Sequence, residues 1–117
     1  MRKGSEIQER VFRFACDVVA LHDGLVRRGG STRDLSRQLL RAATSVGANL
    51  QEADAAQSRA DFISKCTIAL KEAREALYWL RLLETTGKIA PQLPVTTECD
   101  RIVAVLTTIV RKTKEGE

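Results

Sequence analysis

Ile7, Val11, Phe14, Val18, Leu21 and Leu25 recur at alternating intervals of four and three residues. A strand sends successive side chains to opposite faces, so only a helix gathers these six into one stripe. With a capping-box pair at Ser5 and Gln8, the first helix is predicted over about residues 5–28. The pattern returns three times. Leu35, Leu39, Ala42, Val46, Leu50 and Ala53 mark a second helix over 32–57, and Phe62, Cys66, Ala69, Ala73, Ala76, Leu80 and Leu83 mark a third over 58–86. Ile102, Leu106 and Ile109, with Val103 and Val110 beside them, mark a fourth over 97–114.

The breaks between these stripes are short. Gly29 and Gly30 accept the left-handed conformation that stops a helix, and Ser31 or Thr32 is expected to cap the next. Ser58 with Asp61 signals another start, because a serine oxygen satisfies a free amide and the acid suits the helix dipole. Gly87 closes the third helix, Pro91 and Pro94 hold the next segment extended, and Thr97 with Asp100 signals the fourth cap. Short connections make successive helices antiparallel neighbours. The expected fold is therefore all-α, an up-down-up-down four-helix bundle forming one domain over residues 1–117. Aromatic residues are only 4% of the chain, so Leu, Val, Ile and Ala must build its core.

Several kinds of chemistry lack their residues. A di-metal carboxylate site in a bundle needs Glu-x-x-His pairs, and the lone histidine, His22, has no glutamate three residues before it. His22 also lacks an orienting partner for a Ser or Cys nucleophile beyond Asp23, and is read as solvent-facing. Gly29-Gly30 is a helix stop, not a phosphate loop. No metal, no cofactor and no catalytic residue are expected. Cys16, Cys66 and Cys99 are odd in number, widely spaced and in or beside apolar stripes, which predicts free core thiols in a reducing compartment. No apolar run approaches the ~20 residues of a membrane span, and the first ten residues contain no signal-peptide core. The expected location is the cytoplasm.

The charge is more informative. Arg27, Arg28, Arg33, Arg37 and Arg41 are opposed within their segment only by Asp34, and their net of +4 equals the formal charge of the whole chain. Arg33, Arg37 and Arg41 fall at i, i+4 and i+8, opposite the core stripe of the second helix, with Thr44 and Ala48 continuing that face at small size. Such a row suits phosphates of RNA or DNA, although no aromatic residue is interleaved and no groove-reading motif is present. An acidic protein partner would meet the same surface. Asn49 and Glu52 flank the core stripe and are read as structural ties between helices.

Two apolar features exceed what one bundle needs. Phe12, Val19 and Val26 form a second stripe on the first helix at seven-residue spacing. Ile68, Glu72, Glu75 and Trp79 share a second face of the third helix, with Tyr78 beside Trp79. These eight residues are the expected interface of a homo-oligomer.

The run RQLLRAATSVGANLQEA resembles the RRAA-S-I-x-x-N-I-x-E-G signature of the four-helix bundle proteins related to those encoded by ribosomal RNA intervening sequences. Downstream, DFISKCTIALKEAREALYWLRLL resembles the same family's F-x-x-x-L-x-I-A-x-x-x-x-E segment. The matching positions are Arg41, Ala42, Ala43, Ser45, Asn49, Glu52, Phe62, Ile68, Ala69 and Glu72. Helices two and three, about half the chain, carry the likeness. Gly47 stands where the family often has proline and Ala53 where it usually has glycine, so the helix should run smoothly through position 53. The Leu-Tyr-Trp-Leu-Arg ending also resembles accessory variability proteins of diversity-generating retroelements, bundles that partner a reverse transcriptase. The resemblance implies assembly into a ring, commonly a pentamer, without catalytic residues and with a nucleic-acid or ribonucleoprotein role. The expected function is thus a non-enzymatic, oligomeric nucleic-acid-binding or ribonucleoprotein accessory protein acting through helix two. The alternative is a protein-interaction scaffold, including a reverse-transcriptase accessory role.

Overall fold

A computed structural model describes residues 3–116, with side chains from residue 6 onward. Four helices follow one another: α1 (Lys3–Leu25), α2 (Gly30–Asp54), α3 (Arg59–Thr85) and α4 (Pro94–Glu115), with a 3-10 turn at Val26–Arg28 after α1. No strand occurs among the described residues. Each helix packs on the next, and α4 closes back on α1. This is the expected four-helix bundle, 47 Å long and 23 by 21 Å across.

The four stripes meet along the bundle axis. Val11, Phe14 and Val18 of α1, Leu39 and Val46 of α2, Leu80 and Leu83 of α3, and Ile102 and Leu106 of α4 are all essentially sealed from solvent. Alanine sets the tightest seam: Ala42 and Ala43 of α2 and Ala69, Ala73 and Ala76 of α3 are fully buried. Side chains this small let two helix backbones approach closely, and α2 with α3 is the most extensive pairing in the molecule. Leu21, Leu35, Phe62 and Ile109, placed in the stripes by spacing, lie at the core's edge and are only partly buried. Cys66 and Cys99 are buried free thiols, but Cys16 is exposed, because it lies on the flank of α1 that faces away from the core.

The helix ends depart from the expected ones for local reasons. Ser5 lies within α1, and its proposed cap rests on a side chain outside those described. Gly29 and Gly30 have φ of 70° and 55°, and α2 starts at Gly30 with Gly29 at the cap position. Ser31 and Thr32 therefore fall inside the first turn, and Thr32 is buried instead of capping. At its far end α2 passes through Ala53 but stops at Asp54, three residues short of the expected boundary. The reason is Ser58, whose extended backbone lets its hydroxyl accept the Asp61 amide at 3.0 Å and so commits the chain to starting α3. α4 begins at Pro94 and not at Thr97. Proline has no amide to satisfy and a φ already suited to a helix, so the residue read as holding the chain extended is the first helical one. Between α3 and α4, Gly87 takes φ 75° and the amides of Lys88 and Ile89 both reach the Leu83 carbonyl. That turn folds Ile89 into the core.

Candidate functional surfaces

The arginine row of α2 is one line on the helix but two environments in the fold. Arg41 reaches across to α3, where it pairs with Glu72 at 3.4 Å and with Glu75. The Glu75 carboxylate also accepts a hydrogen bond from the Trp79 indole N–H at 3.0 Å. These partners hold the Glu75 carboxyl below its ordinary value, the Trp79 hydrogen bond contributing most, and Glu75 in turn raises the Arg41 guanidinium. Arg33 lies 3.9 Å from its neighbour Asp34, and Arg37 is exposed with no acid paired to it among the described residues. Arg41 is thus part of a polar seam, while Arg33 and Arg37 keep their charge for solvent.

The basic end of the bundle is completed by the loops. Arg27 and Arg28 sit on the 3-10 turn, and Arg28 donates to the backbone carbonyl of Lys88 at 2.7 Å. This bond draws the α3–α4 connection against the α1–α2 connection. Arg27, Arg28, Arg33, Arg37 and Lys88 therefore share one end, with Asp34 among them. Lys88 is 60 residues from Arg28 and carries no sequence signal for this role.

The surplus apolar residues separate onto two faces. Phe12 is 65% exposed and Val19 43%, whereas Val26 is partly covered. Phe12, Cys16 and Val19 line one wall of an open groove whose other wall is Thr44, Gly47 and Ala48 of α2, enclosing about 430 Å³. On α3, Tyr78 is 59% and Ile68 37% exposed, while Glu72, Glu75 and Trp79 are partly buried beside Arg41. The Tyr78 and Trp79 rings meet edge to face, 5.1 Å apart at 74°.

The remaining polar residues are structural. Glu52 receives Lys65 at 2.8 Å and so joins α2 to α3. Asn49, expected to tie helices together, donates instead to the Ser45 carbonyl at 2.9 Å and the Ser45 hydroxyl at 3.2 Å, within its own helix. An i, i+4 acceptor on the same face outcompetes a partner on another helix. His22 is not solvent-facing: its Nδ1 lies 2.8 Å from the hydroxyl of Ser36, which is fully buried. A seryl oxygen sealed from solvent has no room for a substrate, so the pair links α1 to α2. Spacing also gave no sign of the bidentate Arg10–Glu98 pair, at 2.8 and 3.0 Å, that joins α1 to α4. Among the described residues no group of three or more His, Cys, Asp or Glu is arranged to hold a metal, and no helix is long and apolar enough to cross a membrane.

The family model of the 23S rRNA-intervening sequence proteins matches residues 3–108. The likeness visible in α2 and α3 thus extends through α1 and most of α4. Among solved structures, the chain is similar to a protein of unknown function from the S23 ribosomal protein family of Bacteroides thetaiotaomicron, with 38% identity and a TM-score of 0.85. The match covers 94% of this chain and 99% of that one. No curated protein matches at a significant level.

Proposed function

We propose that this chain, which belongs to the family of 23S rRNA-intervening sequence proteins, is a non-catalytic, oligomeric protein that binds nucleic acid through the basic end of its bundle. The observation that carries this reading is the Arg28–Lys88 bond, which gathers cations from two loops and the start of α2 at one end. Phosphate is the ligand chemistry that such a set fits best, since Arg27, Arg28, Arg33, Arg37 and Lys88 offer five positive groups beside Asp34. Arg41 is left out of the set because Glu72 and Glu75 already neutralise it.

Neutralising several phosphates releases counterions, and the logarithm of affinity falls with that of salt by about 0.9 per phosphate on a duplex and about 0.7 on a single strand. Titration of RNA and DNA at two salt concentrations tests the reading. Replacing Arg33 and Arg37 with Ala is expected to weaken binding and flatten the salt slope by about one to two. Absence of binding at low salt would end the proposal.

Assembly belongs to the same reading. The groove of Phe12, Cys16 and Val19 against Thr44, Gly47 and Ala48 is an apolar surface that a second subunit would cover, and a closed ring is the arrangement expected of it. Sedimentation of Phe12→Ser beside the native protein tests this, and a native monomer at micromolar concentration refutes it. The same groove supports a second reading, a scaffold for a protein partner such as a reverse transcriptase. A single protein recovered after nuclease treatment, and lost with Phe12→Ser, would favour that reading over the first.

A further inference from the structure

A second set of cations lies outside the arginine row of α2. At 3.6 residues per turn, Lys71, Arg74, Tyr78 and Arg81 fall within about 80° of arc on α3. They stand opposite the buried Ala73, Ala76, Leu80 and Leu83, and all four are exposed. Arg74 precedes Tyr78 by four residues and Arg81 follows it by three, separations that make helix side chains neighbours, with β-carbons about 5–6 Å apart. The ring therefore has a guanidinium one turn to either side.

The acids of α3 are engaged elsewhere. Glu72 and Glu75 turn to Arg41 of α2, and Glu84 accepts the Gln92 amide at 3.4 Å. Lys71 stands one turn from Glu75 and helps to lower its carboxyl, but the ion pair of that carboxylate is with Arg41. Arg81 shares a shallow recess with Glu84 and Asp100. None of Lys71, Arg74 and Arg81 has an ion pair among the described residues. The Tyr78 ring is held edge to face by Trp79, whose indole N–H is bonded to Glu75. The same face runs to Thr85 at the end of α3, three residues before Lys88 of the basic end.

We propose that this outer face of α3 is a nucleic-acid contact in its own right, a track for one single strand, with phosphates on Lys71, Arg74 and Arg81 and one base on Tyr78. It rests on the reading of the chain as a nucleic-acid binder and adds a surface and a class of strand, since the track leads to Lys88 and so to the basic end. Cations that follow a backbone, with an aromatic ring among them, are the elements that hold single strands without sequence preference. A ring fixed in advance also loses little rotamer freedom when a base stacks on it. A duplex keeps its bases stacked on one another and gains only the phosphate contacts. An acidic peptide gains the cations and not the ring.

Native protein is titrated at low salt with oligoadenylate of about ten nucleotides, within the length that one single-strand site covers. An abasic strand of equal length and a duplex are titrated beside it. Oligoadenylate is expected to bind more tightly than the abasic strand and to change the emission of Trp79, the one tryptophan, whose ring meets Tyr78. Tyr78→Ala should weaken oligoadenylate about five- to a hundred-fold, the range of one stacked base, and leave the abasic strand and the duplex unchanged. Tyr78→Phe, which retains the ring, should keep the native affinity. Lys71→Ala with Arg74→Ala should weaken all three ligands and flatten the single-strand salt slope by about 1.4. Arg33→Ala with Arg37→Ala reads the basic end separately.

Equal binding of oligoadenylate and the abasic strand, or native affinity in Tyr78→Ala or in the Lys71, Arg74 double variant, overturns the track. Weak binding by the Arg33, Arg37 double variant would then leave the basic end standing without it. Failure of every strand to bind overturns both. A change in sedimentation of Tyr78→Ala without loss of affinity assigns the face to subunit packing and also overturns the track. Displacement of oligoadenylate by polyglutamate with equal potency against native protein and Tyr78→Ala assigns the face to acidic protein.

Discussion

Gly47 lies mid-way along α2, between the core and the α1–α2 groove, and replacing it with Ala tests both sides at once. A β-carbon built there meets only the Val11 Cγ1 atom, at 3.5 Å, an ordinary van der Waals separation. The backbone is regular helix, so no conformational reason for glycine remains. Glycine in a helix interior costs about 0.8–1.0 kcal/mol relative to alanine, and Gly47→Ala should recover about that much. For a domain of this size, 1 kcal/mol moves the melting temperature by about 3–6 °C. Melts followed by circular dichroism at two protein concentrations separate this helix effect from assembly, since only the assembly contribution depends on concentration. The new methyl group also narrows the groove that Phe12 and Val19 line. A second subunit docked there should dissociate more readily, so the gain in melting temperature should be largest in dilute protein. A lower melting temperature at both concentrations would refute the reasoning, because it would mean that Val11 cannot accept the methyl group.

The opposite sign is expected at Gly87, where φ is 75°: alanine there should destabilise by about 1 kcal/mol, read by the same melts. Leu106 is fully buried, and Leu106→Ala should cost about 2–5 kcal/mol in urea denaturation. Arg10 holds the Glu98 carboxyl below its ordinary value of 4.5. Its contribution to stability is therefore complete above about pH 4.5 and lost as the pH falls through the lower folded value. Glu98→Gln should be less stable than native protein at pH 7 and indistinguishable from it in acid. Burial pushes the Cys99 thiol up to about 12 and raises Cys66 as well, so a thiol reagent should modify Cys16 quickly in dilute native protein and all three cysteines only in denaturant.

The fold was legible because a helical stripe is a local property. Val11, Phe14 and Val18 declare a buried face through spacing alone, and the same faces are sealed in the structure. The helix ends were less legible because two local signals compete for each. Pro94 can hold a chain extended or open a helix, and only Leu93 in the cap position decides it. Thr32 has the chemistry of a cap, but Gly29 and Gly30 turn the chain early enough to fold it into the core.

The candidate site was half legible for a different reason. Arg33, Arg37 and Arg41 are equivalent by spacing, and nothing within α2 separates them. What separates them lies 31 and 34 residues away, where Glu72 and Glu75 meet Arg41 while no acid of α3 pairs with Arg37. One helical turn along α2 thus changes an arginine from a brace into an open charge. A reading confined to α2 sees a uniform basic stripe, whereas the fold divides it: Arg33 and Arg37 lie open to solvent, and Arg41 is spent on Glu72 and Glu75. The division makes a prediction that charge alone does not: removing Arg37 should weaken nucleic-acid binding, whereas removing Arg41, already paired with Glu72 and Glu75, should leave binding nearly unchanged and loosen the α2–α3 seam instead.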